Sequence, residues 1–595
     1  MCGIFGVFGN STFSGNQQFS LHHRGPDSHG LWTSPDGHCQ LGHTRLAIQD
    51  LSEAGNQPIT SHCGRFTLVY NGEIYNHFSL RKSLRFHEWR GSSDSETLVE
   101  GLAERGPLLL LELRGMFSFA AYDSHKQQML LARDRLGIKP LYTLTVSNSI
   151  YFSSERRLLT EKFDFQPDDL SQFLAWGHMS TPATFAAPMG IPQPFPSGSL
   201  VRLNTDRPHN FVRYWPPQPR PNWTPLPIYS YARAQRFLRD QLLEVVDQHL
   251  ISDIPIASFL SSGVDSGILT ALASTIRKGQ ISSFTVTFPG QPEDESSLAR
   301  TMARHCNTQH HEFHLSDDMV CEWIEAGLSS LDVPTADGLN TYLVSRCASL
   351  QGFRVAISGL GADELFGGYP AHRFVPMLRI LNILPDFLRT KLLKFPCAPA
   401  LGKLHNVPQW NDRYLTLALR RWFSDSDLQA AGLPSLSWPD LPPSRITQQW
   451  GRISYAELFA YTEPMLLRDS DVMSMASSLE LRVPFLDHRI VELALRMPQR
   501  FQRCGKQMLR ETFSDLFPVD YLHQPKRGFG LPMSLWIQGP LRTACIARLE
   551  RLKDSGLLTP TWVDAQWLSF LAGHLHWTRI WSLIVLGEFS LREGL

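Results

Sequence analysis

The feature that most constrains the fold of this chain is a proline-dense stretch at 214–227, which reads YWPPQPRPNWTPLP. Proline fixes φ and has no backbone N–H, so such a stretch suits neither a helix interior nor a central strand. We therefore predict a linker over 206–230 that separates residues 1–205 from residues 231–595. With 595 residues, the chain is long enough for two large domains.

The hydrophobic pattern before this linker is that of short β-strands. Runs of β-forming residues are separated by turn residues, which is typical of an antiparallel α+β domain. These runs are 4–8, 66–70, 117–122, 129–132 and 150–153.

The pattern after the linker is different. Residues 231–250 have helical apolar spacing, and buried-strand patterns follow at 254–260, 281–288 and 353–358. Helical sequence separates these runs, which predicts a parallel, doubly wound α/β sheet. Beyond about residue 376 we expect mainly helices.

Composition narrows the classes of partner. Lys+Arg and Asp+Glu both number 56, so the net charge is zero, which argues against nucleic acid and anionic lipid as partners. The apolar run at 580–586 is too short for a membrane span and predicts a buried helix. The start of the chain does not resemble a signal peptide. The nine cysteines contain no CxxC pair, which favours a reducing compartment, and we expect a cytoplasmic protein.

The first candidate for chemistry is Cys2, which directly follows Met1. Cysteine is small enough to permit the removal of Met1, which would leave a free α-amino group on Cys2. The α-amino group then has a reference pKa of about 7.7–8.0 and can act as general base for the thiol of the same residue. Gly3 allows close backbone approach, and the run at 4–8 would anchor the terminus in a sheet. The alternative is an incidental cysteine.

Six motifs follow one another in the first 155 residues. They are MCGIFG (1–6), HRGPD (23–27), HTRLAI (43–48), YNGEIYN (70–76), SDSE (93–96) and ARDRLGIKPLYT (132–143). In this order they resemble the class II glutamine amidotransferases, whose N-terminal residue is the nucleophile. The resemblance implies an α+β sandwich of four layers, αββα.

The same resemblance implies a role for each matching residue in glutamine hydrolysis. Cys2 would attack the carboxamide carbon of glutamine, and the Asn71 side-chain amide and Gly72 N–H would form the oxyanion hole. The alternative for Asn71-Gly72 is a hairpin turn.

Binding of the α-carboxylate and α-amino groups of glutamine is implied for further residues. Arg45 would hold the carboxylate with its planar fork, and Glu73 and Asp94 would meet the amino group. The alternatives are a surface arginine and a helix-capping Asp94. The backbone of Arg45, Leu46, Ala47, Ile48 and Gln49 would line this pocket.

A candidate nucleotide site follows the strand predicted at 254–260. The segment SSGVDSG (261–267) lies between that strand and a helix, where backbone N–H groups can bind pyrophosphate. It lacks the Walker A pattern and resembles the SGGxDS loop of ATP pyrophosphatases, which cleave ATP to AMP and pyrophosphate. Ser262 stands where that family usually has glycine. The alternative is an ordinary strand-to-helix turn.

A second motif, SGLGADELFGGY (358–369), follows the third predicted strand. Asp363 and Asp265 supply the hard oxygen ligands that suit Mg²⁺, which is expected together with ATP. By resemblance, ATP would be bound by Leu260, Ser261, Ser262, Gly263, Val264, Asp265, Ser266, Val286, Ser358 and Gly359.

Three later motifs are similar to the asparagine synthetase family: MSMASSLELRVPFLDH (473–488), KQMLRE (506–511) and KRGFGLP (526–532). Lys506 aligns with the lysine that neutralises charge as the acyl-adenylate forms and reacts. Its alternative is a solvated lysine at a helix start. The resemblance leaves residues 376–450 poorly matched.

The resemblance implies two reactions in one chain. Glutamine would release ammonia, and ATP would adenylate a carboxylate, which is aspartate in the asparagine synthetases. Ammonia would reach the adenylated carboxylate through an internal tunnel and convert it to an amide. Leu360 stands where asparagine synthetases commonly carry an acidic residue, which leaves the acceptor open. The alternatives are another carboxylate acceptor, such as a sugar acid or a natural-product precursor, a cyclase like β-lactam synthetase, and an inactive scaffold. A homodimer is compatible with the sequence, which does not fix the oligomeric state.

Overall fold

The computed structural model describes residues 2–13, 17–160, 165–179, 190–204, 210–215, 223–288, 290–291, 293–385, 388–389, 403–404, 406–439, 441–442, 444–519, 521–523 and 530–592. Three predictions fall at least partly outside these residues. They are the removal of Met1, the centre of the linker at 216–222, and the KRGF part of the last motif at 526–529.

The N-terminal part contains two antiparallel six-stranded sheets. Their orders are β10-β8-β9-β1-β3-β2 and β12-β11-β7-β6-β5-β4. The strands are Gly3–Phe8 (β1), Ser28–Thr33 (β2), Cys39–Arg45 (β3), Ile59–Thr60 (β4), Phe66–Ile74 (β5), Gly115–Asp123 (β6), Gln128–Arg133 (β7), Tyr142–Val146 (β8), Ser149–Ser153 (β9), Gln193–Pro194 (β10), Ser199–Leu203 (β11) and Asn210–Arg213 (β12).

The two sheets pack face to face. Ile4 and Leu41 of the first sheet share one buried cluster with Val69, Ala120 and Leu131 of the second. Helices His77–Ser83 (α1) and Asp94–Arg105 (α2) lie against the outer face of the second sheet, where apolar residues of both elements are buried together. The 3-10 helices Gln17–Arg24 and Arg156–Leu158 cover the first sheet near Phe5. The predicted sandwich is confirmed.

The C-terminal part contains a parallel five-stranded sheet with the order β15-β14-β13-β16-β17. Chain order therefore reverses between β13 and β16, and a doubly wound sheet of this kind binds ligands at that switch point, beyond the carboxyl ends of the strands. The strands are Ile256–Phe259 (β13), Ser282–Thr287 (β14), Gln309–His314 (β15), Val355–Ile357 (β16) and Glu480–Arg482 (β17).

Helix Pro167–Trp176 (α3) precedes the predicted linker. Helices surround the parallel sheet, and the described part of the chain beyond residue 376 is mainly helical, as predicted. The helices after the linker are Tyr231–His249 (α4), Val264–Ile276 (α5), Ser296–His305 (α6), Asp317–Ser330 (α7), Leu339–Leu350 (α8), Ala362–Phe366 (α9), Ala371–Ile380 (α10), Asp412–Arg420 (α11), Asp425–Ala430 (α12), Gln449–Glu457 (α13), Arg468–Met475 (α14), His488–Arg496 (α15), Gln507–Thr512 (α16), Met533–Gln538 (α17), Arg542–Asp554 (α18), Pro560–Leu571 (α19) and Trp577–Arg592 (α20). A π-helix, Leu458–Leu467, joins α13 to α14.

The run at 580–586 lies in α20, and its residues are buried, as expected. None of the helices in the described ranges combines the length and the apolarity needed to cross a membrane.

Candidate active sites

The first candidate site surrounds Cys2, which directly precedes β1 in the middle of the first sheet. Its N–H donates to Asn71 Oδ1 at 3.0 Å, and its carbonyl accepts from Arg24 Nε at 3.2 Å. A Cβ at Gly3 would lie 2.6 Å from Thr44 Oγ1, so only glycine allows this approach. Burial raises the pKa of the Cys2 thiol. The thiol therefore needs a base, which fits a role for the α-amino group.

Asn71 and Gly72 lie within β5, where they pair with Ser118 and Phe117 of β6. The hairpin-turn alternative is therefore wrong. Asn71 is fully buried, and its Nδ2 has no hydrogen-bond partner among the described residues. A buried donor without a partner is costly unless a ligand satisfies it. A Cβ at Gly72 would lie 2.1 Å from Met116 O, so this position also requires glycine.

Arg45 ends β3 and is only 6% exposed, which excludes the surface-arginine alternative. Its guanidinium donates to Ser52 O and Asn56 Oδ1, each at 2.8 Å, and to Asp50 O. It thus shapes the turn that follows the predicted pocket backbone, residues 45–49. The side-chain amide of Gln49 donates to Glu73.

Asp94 does not cap α2. The N-cap is Ser93, whose Oγ accepts from Glu96 N–H at 3.3 Å. Asp94 Oδ2 instead accepts from Tyr70 O–H and Ile74 N–H, both at 2.8 Å, which fixes the carboxylate beside β5.

Glu73 also lies at this end of β5, where it forms a buried ion pair with Arg482 at 3.3 Å. Burial raises the pKa of Glu73, and Glu480 adds to the rise, whereas Arg482 opposes it. The structure therefore brings Cys2, the predicted oxyanion donors and both predicted amino-group contacts to one region of β1, β3 and β5.

The second candidate site is a cavity of about 380 Å³ at the switch point of the parallel sheet. Ser262 and Val264 do not line it, and Ser262 binds Glu295 through its N–H and hydroxyl at 3.1 and 2.8 Å. The φ of Ser262 is not positive, so a side chain at this position causes no backbone strain. The predicted residues that line the cavity are Leu260, Ser261, Gly263, Asp265, Ser266, Val286, Ser358, Gly359 and Asp363.

The two predicted nucleotide loops meet closely at this cavity. Gly263 is the N-cap of α5 and donates to Ser261 Oγ at 3.1 Å. A Cβ at Gly359 would lie 2.9 Å from Asp265 Cβ and 3.0 Å from Ser266 N. Glycine is therefore needed where the second loop crosses the start of α5, a helix N-terminus of the kind that suits an anion.

Lys506 lies between the two predicted metal ligands. Its Nζ forms an ion pair with Asp363 Oδ1 at 2.7 Å and a second with Asp265. The residue is only 7% exposed, so it is not a solvated lysine. Burial disfavours the ammonium, but the two carboxylates outweigh burial and raise the pKa of Lys506. Lys506 is therefore a permanent cation in this site.

The two carboxylates also fit a magnesium ion. Mg²⁺ is usually bound by one or two carboxylates together with substrate phosphates, and Asp265 and Asp363 both line the nucleotide cavity. The sequence predicts Asp363 at the carboxyl end of a strand, whereas the residue lies in the first turn of α9, after β16 has ended.

Sequence reasoning missed several residues of this cavity. Glu364 lines it, and burial, with Asp363 next, raises the pKa of this carboxyl to about 7. It accepts hydrogen bonds from Tyr369 O–H at 3.3 Å and Thr462 O–H at 3.2 Å. A carboxyl that titrates near neutrality suits acid–base work. The motif at 358–369 contains Glu364, so the signal was present.

Other cavity residues carried no such signal. Asn340 and Thr341 come from the start of α8, and Tyr461 and Leu466 come from the π-helix. A π-helix shifts side chains relative to an α-helix, and apolar periodicity does not reveal it.

Comparison with known proteins assigns a family model to each of the two parts of the chain. The family model described as glutamine amidotransferase domain matches residues 1–215, and the model described as asparagine synthase matches residues 237–591. Asparagine synthetase [glutamine-hydrolyzing] 1 of Bacillus subtilis (strain 168) is 29% identical, over 91% of this chain and 88% of its own length. A putative asparagine synthetase of Mycobacterium tuberculosis (strain ATCC 25618 / H37Rv) is 30% identical over 87% and 84%. Amidase chry2 of Gibberella zeae is 26% identical over 88% and 85%. The chain therefore belongs to the asparagine synthase family and is a glutamine-hydrolysing carbon–nitrogen ligase.

Proposed function

We propose that the chain releases ammonia from glutamine at Cys2 and joins it to a carboxylate, aspartate first among the candidates, with ATP cleaved to AMP and pyrophosphate. One observation carries the proposal: a buried Asn71 donor beside Cys2 occurs in the same chain as a cavity lined by two carboxylates, Asp265 and Asp363, that both pair with Lys506. Each arrangement suits one half of the reaction.

In the first half, the α-amino group of Cys2 takes the thiol proton, and the sulfur attacks the carboxamide carbon of glutamine. Asn71 Nδ2 and Gly72 N–H donate to the oxyanion as its charge develops. The C–N bond then breaks, and the leaving nitrogen takes the proton to become ammonia. Water hydrolyses the resulting thioester to glutamate and restores the thiol.

In the second half, a carboxylate oxygen attacks the α-phosphorus of ATP, and the bond to the β-phosphate breaks. The Lys506 ammonium offsets charge on the α-phosphate in both this step and the next. Asp265 and Asp363 would hold Mg²⁺, which supplies positive charge toward the leaving pyrophosphate. Ammonia then attacks the acyl carbon, AMP leaves, and one proton is lost.

Glu364 is the residue that we propose to accept this proton. Leu360, at the position where asparagine synthetases commonly have an acid, lines the same cavity and can accept none. Glu364 lies four residues later, and its pKa of about 7 is suited to proton transfer at neutral pH. Because ammonia is mostly protonated at pH 7, we also propose an enclosed route for it between the two sites.

The decisive experiment is ATP–pyrophosphate exchange across a panel of carboxylates, with product analysis. Aspartate-dependent exchange, with AMP and asparagine formed in equal amounts when glutamine is added, is the expected result. ADP and phosphate as the stoichiometric products would refute the proposed nucleotide chemistry.

A second candidate function is the same chemistry on another carboxylate. Leu360 favours it, because the cavity wall lacks the acid expected for aspartate at this position. The relatives named amidase chry2 and amidase chyE, 26% and 27% identical, also show that the family has members under other names. Exchange with a different carboxylate and none with aspartate would establish it. A cyclase would need no glutamine site, whereas Cys2 and Asn71 are both in place.

A further inference from the structure

The short edge strand β17 contacts residues of both candidate sites. Side chains alternate along a strand, so Glu480 and Arg482 share one face and Leu481 takes the other. Leu481 packs into the sheet beside Ala257 and Ala356. Arg482, in contrast, reaches Glu73 in the N-terminal part, and it is completely buried there.

Two of the three guanidinium nitrogens of Arg482 donate hydrogen bonds. Nε donates to Glu480 at 2.6 Å, and one terminal nitrogen donates to His249 O and Ile251 O at 2.6 and 2.7 Å. The other terminal nitrogen has no hydrogen-bond partner among the described residues and forms an ion pair with Glu73 Oε1 at 3.3 Å. A planar fork with fixed donors suits such a junction, which a lysine could not reproduce. Arg482 thus fixes both Glu73 and the turn after α4.

That turn makes a second contact with the glutamine pocket, through Asp253. Its N–H donates to Ile48 O at 3.0 Å, and its Oδ2 accepts from Asp50 N–H at 2.7 Å. These two bonds hold the backbone at the end of the predicted pocket segment 45–49. Gln49 lies between Ile48 and Asp50 in the chain, and its side-chain amide donates to Glu73.

We infer that Arg482 and Asp253, which belong to the C-terminal part, are positioning residues of the glutamine pocket. The inference rests on the proposed function, since it takes Glu73 and residues 45–49 as the glutamine contacts. Neither residue bonds to Cys2 or Asn71 side-chain atoms in the described contacts, so both act on binding rather than on thiol attack. Glutamine affinity would therefore depend on the part of the chain that binds the nucleotide.

The same strand reaches the nucleotide cavity. Arg482 O accepts from Ser358 N–H at 2.9 Å, and Ser358 lines that cavity. One residue thus contacts the predicted ATP loop through its backbone and the predicted glutamine contact Glu73 through its side chain.

The test compares glutaminase kinetics of the full-length wild type with Asp253→Ala, Asp253→Asn and Asp247→Ala. Asp253 is exposed, so its replacement does not threaten folding. Loss of one hydrogen bond to a carboxylate should raise the KM for glutamine about fivefold, with kcat within about twofold. Asp253→Asn keeps an acceptor oxygen and should stay near wild type. Asp247, an exposed acid on α4, is the matched control.

Arg482→Lys and Arg482→Met extend the test. We expect the glutamine KM to rise more than tenfold in Arg482→Met and less in Arg482→Lys, which keeps the charge beside Glu73. If Arg482→Met does not fold, the Asp253 variants decide. An unchanged KM in Asp253→Ala, or equal losses of glutaminase and ammonia-dependent synthesis in it, would overturn the inference. A wild type without glutaminase activity would instead refute the proposed function itself.

Discussion

Replacing Lys506 with alanine tests the proposed adenylation chemistry most directly. Its Nζ is within hydrogen-bonding distance of oxygens from both Asp265 and Asp363, so those oxygens are at most about 6 Å apart. Without the ammonium, two like charges at that distance repel by roughly 3 kcal/mol at an effective dielectric constant of about 20. In the Lys506→Ala variant, one of the two carboxylates should become protonated, or the pair should bind a divalent cation more tightly.

The effect on catalysis follows from where charge develops. Attack on the α-phosphorus concentrates negative charge on oxygens that the Lys506 ammonium can reach, and one preorganised donor of this kind is worth about 2.7–4 kcal/mol. We therefore expect kcat for ammonia-dependent amide synthesis to fall about 100- to 1000-fold. The KM for ATP should change less, because the interaction strengthens only as charge develops. Lys506→Arg should recover little, since a planar fork does not replace a compact ammonium.

The assay measures pyrophosphate release and amide formation with saturating ammonium, beside glutaminase activity as a folding control. Gln507→Ala is the matched variant, because the neighbouring Gln507 side chain donates to Glu511 at 2.6 Å, whereas Lys506 pairs with Asp265 and Asp363. Amide synthesis by Lys506→Ala within about threefold of wild type would refute the reasoning and leave Lys506 with a purely structural role.

Three further predictions concern the remaining groups of the two sites. Cys2→Ala should abolish glutamine hydrolysis and leave synthesis from ammonium intact; glutaminase activity in the purified variant would disprove the nucleophile. Asp265→Asn and Asp363→Asn should each stop ATP consumption and spare glutaminase, and near-normal pyrophosphate release by either variant would remove that residue from the metal site. Glu364→Gln should lower kcat for synthesis and change the pH dependence of stability. Because burial raises the pKa of Glu364 to about 7, the folded state binds its proton more tightly than the unfolded state, and stability falls as pH rises from about 4.5 to 7, by roughly 3 kcal/mol. Chemical denaturation across this pH range should show that the free energy of unfolding depends less on pH in Glu364→Gln than in the wild type. An equal pH dependence in the two proteins would contradict the raised pKa.

The sequence predicted best those strands that form continuous runs of buried apolar or small residues. The core strands β1, β6, β7, β13 and β14 appear close to the predicted runs, because most residues in these strands are buried and apolar or small. β15 was missed, since its sequence QHHEFH is polar and half exposed at the sheet edge. Edge strands need only backbone pairing on one side, which leaves little trace in apolar periodicity.

Asn71 and Gly72 show how function can hide a strand. Asparagine and glycine are depleted in strands and favoured in hairpin turns, so the predicted run ended at Tyr70. The structure continues β5 to Ile74, with Asn71 and Gly72 paired to β6. Their local preference is overridden by the pairing with β6, where a Cβ at Gly72 would lie 2.1 Å from Met116 O. A local conflict of this kind is expected at a functional site.

The relation between the two sites lay beyond sequence reasoning for a different reason. The motifs at 70–76 and 473–488 were both recognised, but nothing in their spacing shows that Glu73 and Arg482 meet. An ion pair between residues 409 positions apart depends on how two sheets are placed, which is a property of the packed chain. Breaking a buried pair by removing one partner is strongly unfavourable, because the other charge stays buried without compensation. This pair therefore constrains both the placement of the two parts of the chain and the predicted glutamine contact Glu73. Because Asp253 is exposed, its variants separate the two effects better than any change at Arg482 itself.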